Sequence, residues 1–345
     1  MNIFFASFLK VLGLISAILF LLLILAGITK FSSVSEEGLK YNLIEGELDA
    51  ENQIAILELK GPIFNTNNNN NFFSFNAISP KKIRKIFSNL SILKPDVLLI
   101  KINSPGGTVS ASNEVYQIIK KFNNANDTKI YFIAKEILAS GAYWVAQSGD
   151  RIYANYGTLI GSIGVRSPDW IYFDNPISIS TGIIGQSIET KNGIKVFSQS
   201  AGDSKDIFNP FRKPTNKELE HLKNLSEEIY NDFLNLISKN RKIEKNILRD
   251  EIGALIFNTK AAQNNFLIDK TINIDELINL IILDNNFKNY KVIEILYDNL
   301  SFFQNFIYTL LIDFENIPVT KSNLCESIKT QFTSILPYYS YSCLN

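Results

Sequence analysis

The sequence predicts an α/β fold in which buried strands alternate with amphipathic helices along the chain. Residues 53–59 and 96–102 are short, nearly continuous apolar runs, a pattern typical of strands buried on both faces of a parallel sheet. Between them, the apolar residues of segment 80–93 recur at helical spacing. A turn with two glycines, residues 103–107, then leads into a second helical segment, 110–122. Strand, turn and helix thus follow one another repeatedly.

The middle and the end of the chain continue this alternation. A strand is predicted at 129–134, and a helix is expected to start at Ser140. A long amphipathic helix is predicted at 216–239, and two shorter helices bracket residues 264–269. The late apolar run 291–296 predicts one more strand.

The N-terminus predicts a membrane anchor, because residues 11–29 contain no charged side chain. At about 1.5 Å per residue they span about 28 Å, close to the thickness of the hydrocarbon core. A cleaved signal peptide is the alternative, but residues 25–29 contain no Ala-x-Ala cleavage site. We therefore expect an uncleaved transmembrane helix between a short cytoplasmic N-terminus, residues 1–10, and a polar linker, residues 30–52. The flanking basic residues only mildly favour a body outside the cytoplasm.

Charge and composition exclude one class of partner. The chain has 34 basic and 34 acidic side chains, so no basic excess is available to neutralise nucleic-acid phosphates. Residues 65–71 are nearly all asparagine and predict a surface loop. Segment 300–314 predicts an apolar-rich helix, for which packing on the body or on another subunit is favoured over the membrane surface. Cys325 and Cys343 form one disulfide or remain two thiols, and two cysteines are too few to indicate a metal site.

Ser140 is the candidate nucleophile, although the only histidine, His221, lies far from it in the sequence. A hydroxyl is a poor nucleophile near neutral pH unless a base removes its proton, so a lysine becomes the leading candidate for that base. The small neighbours Ala139 and Gly141 leave room for a substrate, and the positive end of a helix favours a developing anion. The alternative is an ordinary serine that caps the helix.

Lys205, in the segment 200–206, is one candidate for the base. A lysine acts as a base only when neutral, so its pKa must fall from about 10.4 to about 7–8, and burial lowers it in this direction. Asp203 and Asp206 would oppose this change if they faced the amine, and we expect both to point away. From spacing alone, three other lysines are equal rivals: Lys135, Lys191 and Lys195.

Gly106 and Gly107 follow a predicted buried strand, which is where active sites gather in α/β sheets. Glycines allow the backbone to approach a ligand closely, and two N–H groups facing a carbonyl oxygen would form an oxyanion hole. The alternative is a tight turn with no chemical role.

Taken in order, these segments resemble the signal peptide peptidase A family, serine proteases of the ClpP/crotonase fold that use a Ser–Lys dyad. The resemblance rests on the following segments of this chain: 102–107, 139–143, 157–165, 200–206 with 210–212, and 256–269. It implies a ClpP/crotonase-like peptidase domain of repeated ββα units over residues 53–298, with a helical extension at 299–345. The spacing from Ser140 to the lysine segment is longer than is usual in this family. Asn258 and Asn265 stand where glycine is usual, which affects the expected shape of the substrate cleft.

The resemblance also assigns roles to individual residues. Ser140 matches the nucleophile and Lys205 the general base, which gives Lys205 priority over the other lysines. Ser162 matches the serine that hydrogen-bonds the lysine amine, and Gly106 and Gly107 match the oxyanion loop. It identifies no residues that bind the substrate, and it implies no cofactor.

The function implied is that of a membrane-anchored serine endopeptidase that degrades residual signal peptides and other unfolded apolar segments. Its catalytic domain would lie on the periplasmic or extracellular side of the inner (plasma) membrane, and its subunits would form a ring. Two alternatives are a catalytically inactive membrane scaffold and a crotonase-type acyl-CoA enzyme of the same fold. The joint presence of Ser140, Lys205 and Ser162 counts against the scaffold. The predicted anchor counts against the acyl-CoA enzyme.

Overall fold

The prediction of an α/β architecture is confirmed by the structure, a computed structural model. It describes residues 5, 7–18, 20–21, 39–65, 77–172, 174, 180–181, 186–187, 199 and 201–296. Residues 43–294 belong to the larger of two compact units. Within the described residues, nine strands form one sheet whose main path runs in the order β1-β11-β2-β3-β4-β5-β10.

Five strands of this sheet have 7 to 11 residues, and the other four have 2 to 4. Their bounds are β1 Lys40–Gly46, β2 Asn52–Lys60, β3 Val97–Ser104, β4 Lys129–Ala139, β5 Arg151–Ala154, β6 Leu159–Gly161, β9 Ile256–Phe257, β10 Lys270–Thr271 and β11 Tyr290–Leu296. A separate antiparallel pair is formed by β7, Ser180–Thr181, and β8, Gln186–Ser187. The strands predicted at 53–59, 96–102 and 291–296 are confirmed, whereas β1, β5, β6, β9 and β10 were not predicted.

The helices agree closely with the apolar spacing of the sequence. Those of the described body are α1 Pro80–Leu93, α2 Val109–Ala125, α3 Gly141–Ala146, α4 Asn216–Arg241, α5 Thr259–Asn264 and α6 Ile274–Asp284, with a π-helix at Ile247–Ile252. The first two pack on each other through an edge-to-face contact between Phe87 and Phe122, whose ring centroids are 5.2 Å apart. Helix α6 contributes Leu277, Ile278 and Ile281 to the apolar cluster on one face of the sheet.

Strand β4 extends five residues beyond the predicted end at Ala134 because its charged residues find partners on strands β2 and β3. The amine of Lys135 lies 3.4 Å from Glu58, and Glu136 accepts a hydrogen bond of 2.9 Å from Asn103. The first part of β4 pairs in parallel with β5, and the last part, residues 137–139, pairs in parallel with β6. The strand therefore continues as far as the residue that precedes Ser140.

The N-terminal residues 7–18 and 20–21 are helical, and their large apolar side chains are exposed. Among the residues that the structure describes, no helix is both long enough and apolar enough to cross a membrane. Several predictions fall wholly or partly outside those residues: the end of the segment 11–29, most of the asparagine tract, the helix at 300–314 and the two cysteines.

Asp269, the last residue of the segment 256–269, links that segment to strand β5 of the sheet. Its carboxylate accepts hydrogen bonds from the guanidinium groups of Arg151 (3.1 Å) and Arg241 (2.9 Å) and from the backbone N–H of Ile152 (2.7 Å). Burial by itself would raise the pKa of Asp269. The charge of Arg241 and these hydrogen bonds outweigh burial and hold the pKa below its usual value.

We expect Asp269→Asn to lower the free energy of unfolding by about 2 kcal/mol at pH 7, because two charged hydrogen bonds are weakened. A carboxylate whose pKa is lowered by folding stabilises the fold above its ordinary pKa of about 3.9, and this stabilisation is lost as the pH falls through the lowered value. Urea unfolding of the wild type and the variant at pH 7, 5 and 3 should therefore show a difference that shrinks only at the lowest pH. An equal difference at all three values would contradict the assignment.

Candidate active site

Three of the predicted site segments lie together at the carboxyl edge of the parallel sheet. Strand β3 ends at Ser104, which is paired in register with Leu138 of β4. At the end of β4, Ala139 is paired with Gly161 of β6. Because neighbouring parallel strands end at the same edge, the glycine loop after β3 and the residues after β4 and β6 lie next to one another.

Ser140 follows β4 in a backbone conformation that side chains rarely adopt, with φ 57° and ψ −124°. Its N–H donates to the carbonyl of Gly161 (2.9 Å), and its carbonyl accepts from the N–H of Trp144 (3.0 Å). Ser140 is 1% exposed, and its hydroxyl has no hydrogen-bond partner among the residues that the structure describes. Ser140 is thus held between a strand and a helix, with its hydroxyl uncommitted.

The interpretation of Ser140 as an ordinary helix cap is wrong. At the other α-helices of the body the capping side chain accepts a backbone N–H from the first turn: Ser79, Thr108, Thr215, Asn258 and Asn273. Ser140 makes no such bond. A strained backbone costs about 1–3 kcal/mol, and an unpaired buried hydroxyl costs about as much. Ser140 therefore does not stabilise the helix as a capping residue.

Ser162 lies beside Ser140, because each residue directly follows one member of the pair Ala139–Gly161. Ser162 also has a positive φ, 52°, and is 9% exposed. Its N–H donates to the carbonyl of Leu255 (2.8 Å), just before the antiparallel strand β9. Gly161 has φ 125°, and a Cβ there would lie 2.4 Å from the same carbonyl oxygen. Glycine is therefore required for β6 and its neighbour to approach closely enough to fix Ser162.

The loop at Gly106 and Gly107 is fixed against the chain at Ile63. The N–H of Ile63 donates to the carbonyl of Gly106, and the carbonyl of Ile63 accepts from the N–H of Thr108, both at 2.9 Å. A Cβ at Gly107 would lie 1.7 Å from the Ile63 oxygen, so only glycine fits. The N–H of Gly106 donates to the Ser104 hydroxyl (3.2 Å), a contact that the sequence did not indicate. The Gly106 N–H can therefore bind an oxyanion only after its hydrogen bond to the Ser104 hydroxyl is broken.

Lys205 lies on an exposed turn, and it makes no hydrogen bond to Ser140 within the chain. The burial that its proposed chemistry requires is therefore not present in a single chain. The two neighbouring acids point toward other cations, as expected: Asp206 accepts two hydrogen bonds of 2.7 Å from Arg212, and Asp203 lies 3.8 Å from the amine of Lys217.

Of the three rival lysines, one is described by the structure and two are not. Lys135 is paired with Glu58 at 3.4 Å, whereas Lys191 and Lys195 lie outside the described residues. Among the residues that the structure describes, no three His, Cys, Asp or Glu side chains are grouped so that they could hold a metal ion.

Comparison with known proteins places the chain among peptidases. The sequence model of peptidase family S49 matches residues 123–287. A protein of Methanocaldococcus jannaschii that is provisionally named a protease is 30% identical over 268 residues, which are 76% of this chain and 78% of that protein. A protein of Enterococcus faecium provisionally named signal peptide peptidase SppA is 24% identical over 308 residues, 88% of this chain and 84% of the relative.

Two further comparisons are more partial. Protease 4 of Haemophilus influenzae is 25% identical over 230 residues, which are 66% of this chain but 34% of that protein. A solved structure of the 1510-N membrane-bound stomatin-specific protease, a mutant in complex with a substrate peptide, aligns with 75% of this chain and 97% of its own at 15% identity and a TM-score of 0.41. The family match and the relative that aligns over about three quarters of both chains agree, and the chain belongs to peptidase family S49.

Proposed function

We propose that this chain is a membrane-anchored serine endopeptidase in which Ser140 is the nucleophile and Lys205 the general base. Membership in family S49 makes it a serine protease. The observation that carries the assignment of the nucleophile is the state of Ser140: buried, strained, and without a hydrogen bond for its hydroxyl. No other residue next to the glycine loop combines these three properties in the part of the chain that the structure describes.

The proposed reaction uses one amine twice. Lys205 Nζ takes the proton of the Ser140 hydroxyl as Oγ attacks the peptide carbonyl carbon. The carbonyl oxygen becomes an oxyanion that the N–H groups of the glycine loop stabilise. The Lys205 ammonium then protonates the leaving amine, the C–N bond breaks and an acyl enzyme remains. Lys205 next takes a proton from water as the water oxygen attacks the ester carbon. It then returns that proton to Ser140 Oγ as the ester C–O bond breaks, which releases the second product and restores the enzyme.

Ser162 is proposed to orient the lysine amine. A neutral amine can serve as a base only if its lone pair points toward the proton that it removes, and a neighbouring hydroxyl can hold it in that direction. Ser162 lies next to Ser140 at the end of the adjacent strand, which supports this role. Its backbone is fixed by the hydrogen bond to Leu255, so its position does not depend on the lysine.

Lys205 is proposed to reach Ser140 in the assembled enzyme. In one chain the lysine is exposed, and the hydroxyl of Ser140 has no partner within the described part of the chain. Packing of subunits into a ring would exclude water from the turn that carries Lys205 and so lower the pKa of its amine. The amine would come from the same chain or from the neighbouring subunit.

The proposed substrates are signal peptides that remain in the membrane after secretion, and other unfolded apolar segments. The name of the Enterococcus faecium relative, a signal peptide peptidase, supports the choice of signal peptides as the substrate class. The uncharged stretch 11–29 and the exposed apolar side chains of the N-terminal helical residues support a membrane anchor. The catalytic body would then face the periplasm or the cell exterior.

We expect Ser140→Gly to abolish peptide hydrolysis and yet to raise the free energy of unfolding by about 1 kcal/mol, because glycine accepts a positive φ without strain. Urea unfolding and labelling with a fluorophosphonate measure the two effects. Ser112→Gly is a matched control, since Ser112 also has a buried unpaired hydroxyl but lies inside helix α2. That variant should be destabilised and should still label. A Ser140→Gly protein that labels or hydrolyses peptides would disprove the role of Ser140.

We expect Ser140→Ala and Lys205→Ala each to lower hydrolysis of an apolar peptide ester by at least about 1,000-fold. The two inactive variants are then unfolded together and refolded as a mixture. If neighbouring subunits share each site, about a quarter of the sites in randomly mixed rings combine an intact serine with an intact lysine, and activity returns. If one chain supplies both groups, the mixture stays inactive. Full activity in Lys205→Ala alone would exclude this lysine as the base.

We expect deletion of residues 1–38 to move the protein from the membrane fraction to the soluble fraction, because the uncharged stretch is removed. Alkaline carbonate extraction of membranes from an expressing bacterium measures this change. The full chain should resist extraction. If the full chain is already extracted by carbonate, the proposed anchor is incorrect.

A further inference from the structure

We propose that Arg212 is a positioning residue for the reaction, holding the turn that carries Lys205 against helix α4 and keeping the Asp206 carboxylate away from the Lys205 amine. This inference rests on the proposed function, because it assigns Arg212 a task only if Lys205 is the base. It is carried by the contacts of Arg212 itself, which join the lysine turn to the longest helix of the described chain.

The guanidinium of Arg212 binds two carboxylates at once. Its Nε and one Nη donate to the two oxygens of Asp206, each at 2.7 Å. Its two Nη groups donate to the two oxygens of Glu218 at 2.9 and 2.7 Å. The group also lies over the ring of Trp170, with its Cζ 5.0 Å from the ring centroid. Only a planar fork with several donors can make these contacts together, and a lysine cannot.

The far side of this contact is rigid. Glu218 is 3% exposed and lies in the first turn of α4, where its carboxylate accepts from the N–H (2.8 Å) and the hydroxyl (3.0 Å) of Thr215. The N–H of Glu218 donates in return to the hydroxyl of Thr215 (3.2 Å), which completes a capping box. Further along α4, Phe233, Leu234 and Ile237 are buried in the core. Arg212 therefore ties Asp206, the residue next to Lys205, to a fixed part of the fold.

The same contacts control the charge beside the lysine. Hydrogen bonds from Arg212 hold the pKa of Asp206 below its usual value, so this carboxylate stays ionised. An anion directed at Lys205 would stabilise the protonated amine and oppose its use as a base. Arg212 takes up both oxygens of Asp206 and so prevents this contact.

The other charged groups of the surrounding segments have partners of their own. Asp203 lies 3.8 Å from the Lys217 amine, and Arg166 pairs with Asp169 at 2.7 Å. The Lys213 amine lies over the ring of Tyr172, 5.4 Å from its centroid. Removal of Arg212 would release the carboxylates of both Asp206 and Glu218. Glu218 keeps its two hydrogen bonds from Thr215, so Asp206, the residue next to Lys205, is the carboxylate left free to turn toward the amine.

The test compares full-length wild type with Arg212→Gln, Arg212→Lys, Asp206→Asn and the double variant Arg212→Gln with Asp206→Asn. Arg249→Gln is the matched control, because Arg249 also bonds a carboxylate, Glu227 at 3.2 Å, and lies over a ring, Tyr230 at 4.9 Å. Hydrolysis of an apolar peptide ester is measured from pH 6 to 10 to give kcat, KM and the acidic limb of kcat. Thermal unfolding checks that each variant is folded.

For Arg212→Gln we expect kcat to fall by about 10- to 100-fold with KM changed less than about twofold, since a small displacement of a catalytic group has effects of this size. The acidic limb should move up by about one pH unit, because the released Asp206 stabilises the protonated amine. In the double variant the limb should return to the wild-type position while kcat stays low. Arg212→Lys keeps the charge but loses the fork, so kcat should fall while the limb stays in place.

Each remaining outcome is decisive. Asp206→Asn alone should not move the limb upward, and Arg249→Gln should leave kcat and the limb unchanged. The proposal is overturned if Arg212→Gln behaves like Arg249→Gln, or, should Arg212→Gln fail to fold, if Arg212→Lys retains the wild-type kcat. If the acidic limb of the kcat profile stays shifted in the double variant, Arg212 does not act by keeping the Asp206 carboxylate away from the Lys205 amine. Failure of the proposed function itself would give a different result. In that case Lys205→Ala would keep the wild-type rate, whatever the Arg212 variants show.

Discussion

The candidate site depends on one pairing, that of the last residue of β4 with the last residue of β6. Ala139 and Gly161 lie side by side, and the chain turns sharply after both. The N–H of Ser140 reaches across to the carbonyl of Gly161, which fixes the first residue after β4 while the helix α3 already begins. A backbone that must leave a strand and enter a helix within one residue has few conformations, and Ser140 takes one with a positive φ.

Two glycines allow the close packing of the loops beside Ser140. Gly161 lets β6 approach Leu255 closely, and Gly107 lets the loop after β3 lie directly on Ile63. Neither position tolerates a Cβ without a shift of backbone, so the positions of both loops are set by close packing and not by the serine. The cost of holding Ser140 is thus spread over contacts that form with or without a substrate, as is usual where strain serves a chemical step.

The lysine segment follows a different principle. Ser140 is fixed by the sheet, whereas Lys205 lies on a turn that is attached to the fold by one guanidinium with two carboxylates and by contacts of Trp170 with Phe208 and Asn209. Charged hydrogen bonds of this kind are directional, so they can orient a segment whose lysine is exposed. In the proposed enzyme, a rigid nucleophile would meet a base that is held electrostatically and becomes sheltered only on assembly.

The sequence by itself determined the α/β class, the bounds of α1 and the ends of β2 and β11 to within a residue or two, because apolar spacing reports directly which side chains are buried. It also identified Ser140, Ser162 and the glycine pair as a group, through a resemblance of ordered segments. It missed the last part of β4, since Lys135 and Glu136 look like solvated residues until Glu58 and Asn103 are seen beside them. The adjacency of Ser140 and Ser162, the positive φ of both and the double contact of Arg212 were decided by tertiary structure alone. The first two depend on which strands are neighbours and in what register, and that information lies in contacts between residues far apart in the chain. The contact of Arg212 joins residues only six positions away on either side, and it depends on how the turn packs against the start of α4.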